Sequence, residues 1–380
     1  MNKRERIRGR VLETALLAAL MHLGCQTEVP TWGEQVWGRA DGDLELVPVG
    51  SGLGEIIADP RRPYLYLSDF DGNRLYFISR DSRRIEKEMV IGTRPADLAI
   101  SMDGNLLYVA LAGGSQIGVL DLDSQISAAP VPLNFSPAYL AAGRPPFLYI
   151  SSVLELWEGF QPQGQSFQVN FQARTQVTVP QLRLLDVNPQ RTALYAAYNR
   201  QVFHFAINQT DGTLTLQTLL NAEGHVVELF LSEEGKRLYT ISTGFLTLPQ
   251  GIVTRGFIDS RKNFETDMVE VWSTDPLFKL GELHTGAFPR AVAQSGRYLV
   301  VAAADSATTP KRAGFAVRYD PETLTPLQTY RLAGSPTNCA AVDSASGRFY
   351  VAIDNPYDLR ERFGERQDLQ VVDLRAGGEE

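Results

Sequence analysis

Short apolar runs separated by polar turns repeat along most of this chain. Seven of them share a three-residue apolar pattern that recurs at intervals of about 40 to 60 residues. The copies are Leu65-Tyr66-Leu67, Leu107-Tyr108-Val109, Leu148-Tyr149-Ile150, Leu194-Tyr195-Ala196, Leu238-Tyr239-Thr240, Leu299-Val300-Val301 and Phe349-Tyr350-Val351. Short runs rich in β-branched and aromatic residues, bounded by Gly, Asp, Asn and Ser, are typical of β-strands. The pattern therefore predicts seven similar units, each with a strand at this position.

A second marker precedes many copies, as in GTRPADLAI, NFSPAYLAA, GAFPRAVAQ and GSPTNCAAV. In the second unit the two markers and their turns predict four strands, at 96–101, 106–110, 116–121 and 129–133. Four short strands in each unit of about 40 to 50 residues indicate a blade of a β-propeller. The sequence thus predicts an all-β, seven-bladed propeller of four-stranded antiparallel blades.

The two ends of the repeat suggest how the ring closes. The third strand of the seventh unit is predicted at 369–374, and no further strand of the repeat follows it, so this unit lacks a fourth strand. Residues 44–49, LELVPV, precede the first unit as the other fourth strands precede theirs. We expect this N-terminal strand to complete the last blade, which protects strand edges that would otherwise be open. The propeller is predicted to span 43–375, with a C-terminal tail at 376–380.

The N-terminus has the layout of a signal peptide. A basic region containing Arg6 and Arg10 precedes an apolar run from Ala15 to Met21, which is too short for a membrane-spanning helix. The Gly24-Cys25 ending resembles the lipobox of bacterial lipoproteins, which implies cleavage before Cys25 and its lipidation. Residues 1–24 are then the signal peptide and 25–42 a tether. The alternative is an ordinary N-terminal helix with an incidental cysteine.

The repeat units resemble the YVTN family of bacterial β-propeller repeats, of the surface-layer and lactonase-like type. The resemblance rests on GTRPADLAISMDGNLLYVA at 92–110, on IGVLDLD at 117–123, and on the recurrence of both patterns. It covers about 44–374. It implies the fold strongly and a function weakly, because propellers of this family have several roles.

Composition narrows the function classes. Lys and Arg total 36 against 44 Asp and Glu, giving a net charge of −8, which argues against a nucleic-acid-binding role. There are two cysteines, Cys25 and Cys339, and no CxxC motif, so thiolate zinc sites and c-type haem attachment have no support. Cys339 is expected to be a buried free thiol. No G-x-S-x-G, P-loop or dinucleotide motif occurs. We therefore predict no catalytic residue, no metal and no cofactor.

Candidate contact residues lie in lengthened connections between the second and third strands of four units. These connections carry aromatic and basic side chains of the kinds that protein interfaces favour. The candidates for contact at this rim are Trp157, Phe257, Arg261, Arg312, Tyr357 and Arg362. Long loops on a rigid scaffold are where binding usually occurs. The alternative is that insertions accumulated there because they are tolerated.

A second set of polar residues is predicted nearer the propeller axis, at the channel mouth. It lies in turns that lead into the units and at the ends of second strands: Asp69, Arg94, Asn199, His225, Arg290, Asp305 and Asn355. Converging polar groups at a propeller mouth suit a small anion or a metal. Equally, Asp and Asn suit turns that leave a strand. His204 is expected to be a structural residue of a third strand.

These features favour an exported, lipid-anchored binding module. We expect it at the bacterial outer membrane or cell surface, or in the periplasm if Cys25 carries no lipid. Its expected partner is a protein or glycan of the cell envelope, with membrane contact through the lipid alone, no nucleic acid, and a monomeric state. The first alternative is a propeller enzyme of lactonase-like or hydrolase type, acting on a small molecule at the channel mouth. The second alternative is an accessory subunit of a redox complex.

Overall fold

The protein is represented by a computed structural model that describes residues 39–40, 45–50, 52–152, 165–170, 175–179, 184–243, 268–285, 288–304, 314–354 and 367–375. Within these ranges the chain forms β-strands joined by turns and loops, in seven sheets of four or five strands. These ranges hold no helix with the length and hydrophobicity that a membrane span requires. The seven-bladed propeller predicted from the repeat is confirmed.

Two strands precede the first blade, β1 (Arg39–Ala40) and β2 (Glu45–Gly50). The first blade contains β3 (Leu53–Ala58), β4 (Tyr64–Asp69), β5 (Arg74–Ser79) and β6 (Ile85–Val90). The second contains β7 (Pro95–Ile100), β8 (Leu106–Leu111), β9 (Gln116–Asp121), β10 (Ile126–Ser127) and β11 (Val131–Pro132). The third contains β12 (Tyr139–Ala142), β13 (Phe147–Ser152), β14 (Gln165–Asn170) and β15 (Thr175–Val179).

The fourth blade contains β16 (Leu184–Val187), β17 (Ala193–Tyr198), β18 (Gln201–Ile207) and β19 (Leu214–Asn221). The fifth contains β20 (His225–Leu231), β21 (Arg237–Thr243), β22 (Met268–Thr274) and β23 (Leu277–His284). The sixth contains β24 (Phe288–Ser295), β25 (Tyr298–Ala304), β26 (Gly314–Tyr319) and β27 (Pro326–Arg331). The seventh contains β28 (Ser335–Asp343), β29 (Arg348–Asp354) and β30 (Gln367–Asp373).

The ring closes as expected. The N-terminal strand β2 pairs antiparallel with β30, with Val47 opposite Leu369, and so supplies the fourth strand of the seventh blade. Pro48 is tolerated there because β2 is an outer strand whose free edge needs no N–H donor. Upstream, β1 pairs in parallel with β27 and adds a fifth strand to the sixth blade. Residues 39–40, which fall in the predicted tether, therefore contact the propeller.

The outer edge of the second blade differs from the prediction of one strand at 129–133. Two short strands, β10 and β11, pair with β9 there instead. Pro130 and Pro132 lack backbone N–H donors and prevent a continuous ladder. The blade keeps its three inner strands and a broken outer edge.

In three units the Tyr of the repeated apolar run joins neighbouring blades. The hydroxyl of Tyr149 in the third blade donates to the carbonyl of Gly212 in the fourth, at 2.7 Å. The hydroxyl of Tyr195 donates to the carbonyl of Thr274 in the fifth blade, at 3.1 Å, and Tyr239 donates to Gln294 Oε1 in the sixth, at 2.5 Å. The rings are buried in the cores between blades. Each of these three Tyr residues thus combines apolar burial with a hydrogen bond to the next blade.

The first strand of each blade lies innermost, and these seven strands contact one another in sequence around the axis, with β28 meeting β3. Because strands alternate in direction, the connections from second to third strands and from blade to blade all lie on one face. We call this the insertion face, and the opposite one the turn face. Cys339 is buried in the core between the seventh and first blades and forms no disulfide with a described residue.

Candidate binding face and channel mouth

The four lengthened connections all leave from the insertion face. They comprise residues 153–164, 244–267, 305–313 and 355–366, and join the second to the third strand of the third, fifth, sixth and seventh blades. The corresponding connections of the other three blades are short turns. The six candidate rim residues Trp157, Phe257, Arg261, Arg312, Tyr357 and Arg362 lie in these segments, outside the described residues.

Asp69, at the end of β4, lies inside the first blade and is 2% exposed. Its carboxylate accepts hydrogen bonds from the backbone N–H of Gly72 at 2.8 Å and of Gly52 at 3.3 Å, and from the Tyr76 hydroxyl at 3.3 Å. A side chain in place of Gly50 or Gly72 would collide with this carboxylate. Asp69 therefore fixes the turn between β4 and β5 against the chain entering β3, and the structure places it in the blade rather than on the channel surface.

Arg94 and Asn199 are exposed residues of the insertion face with positive φ angles of 52° and 55°. The carbonyl of Arg94 accepts the N–H of Ala112, and the carbonyl of Asn199 accepts the N–H of Val226. The Arg94 guanidinium lies over the ring of Phe70 at 5.4 Å. Arg94 therefore shapes the turn that leads into the second blade, and Asn199 shapes the turn between β17 and β18, which contacts the start of the fifth blade.

Three further candidates have no described side chain. His225 is the first residue of β20, where its backbone pairs with Thr243. Asp305 and Asn355 follow directly after β25 and β29, outside the described residues. Their roles as ligand-facing groups stay predictions. His204 lies on β18 as expected and stacks on Tyr195 with ring centroids 4.9 Å apart, and burial lowers its pKa.

Arg290 lies at a β-bulge of the innermost strand β24. Pro289 pairs with Ala303 and Ala291 pairs with Ala302, so Arg290 is the extra, unpaired residue. Its side chain is half-buried. Burial lowers the pKa of the guanidinium, and the negative charge of Asp354 offsets part of that effect. Arg290 is thus a partly desolvated cation beside the axis, near the insertion face.

Asp354, the last residue of β29, is the acidic neighbour of Arg290. Burial raises the pKa of its carboxyl, while the amide of Gln367 and the charge of Arg290 act in the opposite direction. Gln367 Nε2 donates to Asp354 at 3.0 Å, and Gln367 Oε1 accepts the N–H of Leu53 at 2.7 Å. This chain of contacts connects the seventh blade to the first at the channel mouth.

Bulges of the innermost strands are the feature that the sequence reasoning missed. They occur in β3, β7, β20, β24 and β28. In β7 the bulge holds Asp97, whose carboxylate accepts the N–H of Leu98 at 2.9 Å and that of Leu140 in the third blade at 2.7 Å. In β28 it holds Asn338, which donates to Glu228 of the fifth blade at 3.0 Å, past the sixth. Bulges thus direct polar side chains toward the axis.

A second polar group lies deeper, toward the turn face. Asp186 of β16 accepts the N–H of Val187 at 2.8 Å and of Leu231 in the fifth blade at 2.9 Å. Arg191 Nη2 donates to the carbonyl of Ile100 in the second blade at 3.3 Å, so it reaches past the third. Burial and, more weakly, the negative charge of Asp97 raise the pKa of Asp186 to about 6. The channel is therefore crossed by polar side chains at two levels.

A buried glutamate stabilises the blade that carries the longest of these connections. Glu270 of β22 is 1% exposed and accepts the N–H of Glu223 at 3.2 Å and the Ser242 hydroxyl at 3.2 Å. Lys279 Nζ lies 3.4 Å from it and also contacts Glu223 at 2.7 Å and Glu282 at 2.5 Å. Burial raises the pKa of Glu270, and Lys279 opposes this.

A metal centre has no support within the ranges that the structure describes, where no three His, Cys, Asp or Glu side chains are grouped to hold an ion. The polar groups instead form hydrogen bonds between blades.

Comparison with known proteins reveals similarity in structure only. No family model and no curated protein sequence matches the chain. Hydrazine synthase from Kuenenia stuttgartiensis is similar in structure, with a TM-score of 0.61, 12% identity, and coverage of 90% of this chain and 98% of that one. The β-propeller domain of Myceliophteria thermophila Cps50 (Swd1) has a TM-score of 0.60 and 11% identity, and the match covers 86% of this chain and 98% of that one. U3-55K has a TM-score of 0.62 and 13% identity, and the match covers 89% of this chain and 100% of that one. At these identities the likeness shows the fold alone, and the chain is a seven-bladed β-propeller.

Proposed function

We propose that this protein is an exported, lipid-anchored binding module that recognises a protein or glycan of the cell envelope through its insertion face. One observation carries the proposal: all four long connections emerge on the same face. The described turns of the opposite face are short and closed by their own backbone hydrogen bonds. Examples are Arg83 N–H to Ser79, Gly104 N–H to Ser101 and Leu324 N–H to Asp320, each at 2.9 Å.

The strands that carry these connections form a rigid base. Ser152, Ala304 and Ile353, at or next to the ends of β13, β25 and β29, are at most 3% exposed. Long loops held at both ends by buried strands are suited to binding, because the scaffold limits the conformational entropy that is lost on contact. The partner chemistry follows from the aromatic and arginine residues of those loops.

The signal-peptide-like segment at residues 1–24 supports the proposed location at the cell envelope. A lipid on Cys25 would leave the segment up to Arg39 between the membrane and the propeller. A fully extended chain of that length reaches on the order of 45–50 Å. Because β1 pairs with β27, the attachment point on the propeller is the outer edge of the sixth blade. The insertion face would then stand within reach of partners at the membrane surface.

The test compares capture by matched variants. In one, residues 305–313 are replaced by the four-residue turn of the first blade, Phe70–Asn73; in the control, exposed Thr210 and Glu234 of the turn face are changed to Ala. Immobilised proteins are incubated with envelope extract and with purified envelope polysaccharides. We expect the wild type and the control to retain the same partner, and the shortened variant to retain at least tenfold less. Equal retention by all three would reject the proposed face.

The anchor is tested separately by mass spectrometry of the mature N-terminus. We expect a diacyl or triacyl adduct on Cys25 and its loss in Cys25→Ser. An unmodified N-terminus upstream of Cys25 would remove the lipid from the proposal and leave the binding face untouched.

A propeller enzyme acting on a small molecule is the second candidate. The observation that favours it is the raised pKa of Asp354 and the lowered pKa of Arg290 at the channel mouth, because shifted pKa values mark functional sites more often than other surfaces. Turnover of a panel of lactones by the purified protein, lost in Asp354→Asn, would support this candidate. Absence of turnover with all lactones in the wild type would reject it.

A further inference from the structure

The outer strand of the fourth blade, β19, has an exposed edge. It pairs with β18 on its inner side, and no described strand pairs with its other side. Five of its eight residues are exposed and none is buried, whereas β2, β6, β23 and β27 have at most three exposed residues each. Leu216 is 50% exposed and Leu219 is 42% exposed. An exposed outer strand presents N–H and C=O groups with which another strand can pair.

The sequence of β19 lacks the features that protect the other outer edges. Residues 212–222 contain neither a charged residue nor a proline. In the sixth blade, β1 covers β27. The side chains of β15 lie outside the described residues. Charges or prolines protect the remaining outer edges: Pro48 in β2, Glu86, Lys87 and Glu88 in β6, Pro130 and Pro132 in the second blade, and Lys279 and Glu282 in β23.

The sixth blade shows that an outer edge of this ring accepts an added strand. β27 has a bulge at Leu327, and β1 pairs with it at Thr329, just beyond that bulge. β19 has a bulge at Gln217, so the bulge does not close its edge either. Gln217 Nε2 donates to the carbonyl of Thr215 at 3.3 Å, a long contact within the strand that an incoming N–H can replace.

We propose that β19 pairs antiparallel with β19 of a second copy of this chain, in a two-fold symmetric dimer, in place of the monomeric state expected from the sequence. Because each copy has the same edge, one two-fold axis pairs both edges and closes the assembly. Each side chain of the strand then lies near side chains of the same strand, so a charged strand would bring like charges together. The neutral segment 212–222 avoids this repulsion in a protein with a net charge of −8.

The size of the contact is sufficient for a weak dimer. Two paired strands of eight residues form about eight backbone hydrogen bonds, close to the number of about ten in a typical protein interface. Leu216 and Leu219 add apolar contact, together with half-buried Phe203, which lies opposite Leu219 on β18. A single added ladder lies at the small end of specific interfaces, so we expect a dissociation constant on the order of micromolar.

The dimer goes beyond the proposed function and does not depend on it. β19 runs from the turn face to the insertion face, so antiparallel pairing places the two insertion faces at opposite ends of the shared sheet. Both faces stay open to a partner. A monomer would reject the dimer and keep the proposed binding face, whereas a dimer that retains no envelope partner would reject the binding face alone.

The experiment measures sedimentation equilibrium of the full chain, in one mild detergent buffer, between about 1 and 200 µM. We expect the wild type to change from monomer to dimer over this range. The double variant Leu216→Lys with Leu219→Lys should weaken the dimer at least tenfold, because it places four positive charges at the shared edge. The matched control is Phe278→Lys with Leu280→Lys on β23, where the replaced side chains are 47% and 44% exposed, and it should associate as the wild type does.

Disulfide formation provides a second readout. Gln217→Cys places a thiol near the two-fold axis and should link two copies on oxidation, whereas Phe278→Cys on β23 should not. The dimer is overturned when the wild type stays monomeric, when both double variants weaken association equally, or when Gln217→Cys forms no link. Flotation of a monomeric wild type with vesicles of phosphatidylethanolamine and phosphatidylglycerol, lost in the β19 double variant, would reject the second copy and assign this edge to a lipid surface.

Discussion

The carboxylate of Asp97 in the second blade accepts a 2.7 Å hydrogen bond from the backbone N–H of Leu140 in the third. Leu140 lies on β12, an innermost strand whose axis-side edge has no neighbouring strand. Asp186 does the same for Leu231 between the fourth and fifth blades. Carboxylates in the channel therefore satisfy N–H groups that the blades themselves leave unpaired, and they join consecutive blades near the axis.

Removal of the Asp97 carboxylate should destabilise the ring. Asp97→Ala leaves the N–H groups of Leu98 and Leu140 without their acceptor, at a cost of about 1–3 kcal/mol. Urea unfolding should show this as a lower midpoint with an unchanged slope. Asp81→Ala, an exposed carboxylate between β5 and β6, serves as the control. Equal midpoints for the two variants would contradict the role given to Asp97.

The repeated Tyr provides a second test of contact between blades. Tyr149→Phe removes the 2.7 Å hydrogen bond to Gly212 while keeping the buried ring, and should cost about 1 kcal/mol of unfolding free energy. Tyr350 is the matched control, because it is equally buried and its hydroxyl forms no hydrogen bond of good geometry, although the side chains of Arg348 and Ser346 lie beside it. Tyr350→Phe should be neutral or slightly stabilising. A loss at Tyr350 as large as or larger than the loss at Tyr149 would contradict the role given to the hydrogen bond between Tyr149 and Gly212.

Asp186 should make stability depend on pH. Its pKa in the folded protein is raised to about 6, against an ordinary value of 3.8, so the folded state holds the proton more tightly than the unfolded state. The contribution of protonated Asp186 to the free energy of unfolding is fully present below about pH 4. It is lost as the pH rises from there to about 6. The shift corresponds to a loss on the order of 2–3 kcal/mol.

The measurement is the free energy of unfolding at pH 4 and pH 7 for the wild type, Asp186→Asn and the exposed control Asp81→Asn. Relative to Asp186→Asn, the wild type should lose stability between the two pH values, and Asp81→Asn should follow the wild type. A wild type that gains stability relative to Asp186→Asn as the pH rises would reverse the assigned direction.

The repeat predicted most of the fold because it is local. The apolar run around Tyr66 and its six copies predicted the second strand of each blade. Because the last unit lacked a fourth strand, the N-terminal residues that form β2 could be predicted to supply it. The outer edge of the second blade was predicted less well, because Pro130 and Pro132 divide a run whose composition still suits a strand.

The candidate site was harder to predict, since it depends on contacts between blades. Asp69 looked like a channel group because it ends a strand; Gly50 and Gly72 were the available signal that its carboxylate is enclosed. The roles of Asp97 and Asp186 could not be predicted, because their partners Leu140 and Leu231 lie a full repeat unit away in the sequence. Arg290 was identified as a candidate, but the bulge that holds it appears only in three dimensions.

The central claim, that the insertion face binds the partner, is tested most directly by photo-crosslinking in cells that produce the protein. A photoreactive amino acid is placed at exposed Asp71 or Ser115 on the insertion face, and at exposed Thr210 or Glu234 on the turn face. We predict one adduct of the same mass from Asp71 and Ser115 and none from Thr210 and Glu234. Adducts from the turn face alone, or of equal intensity from both faces, would contradict the claim.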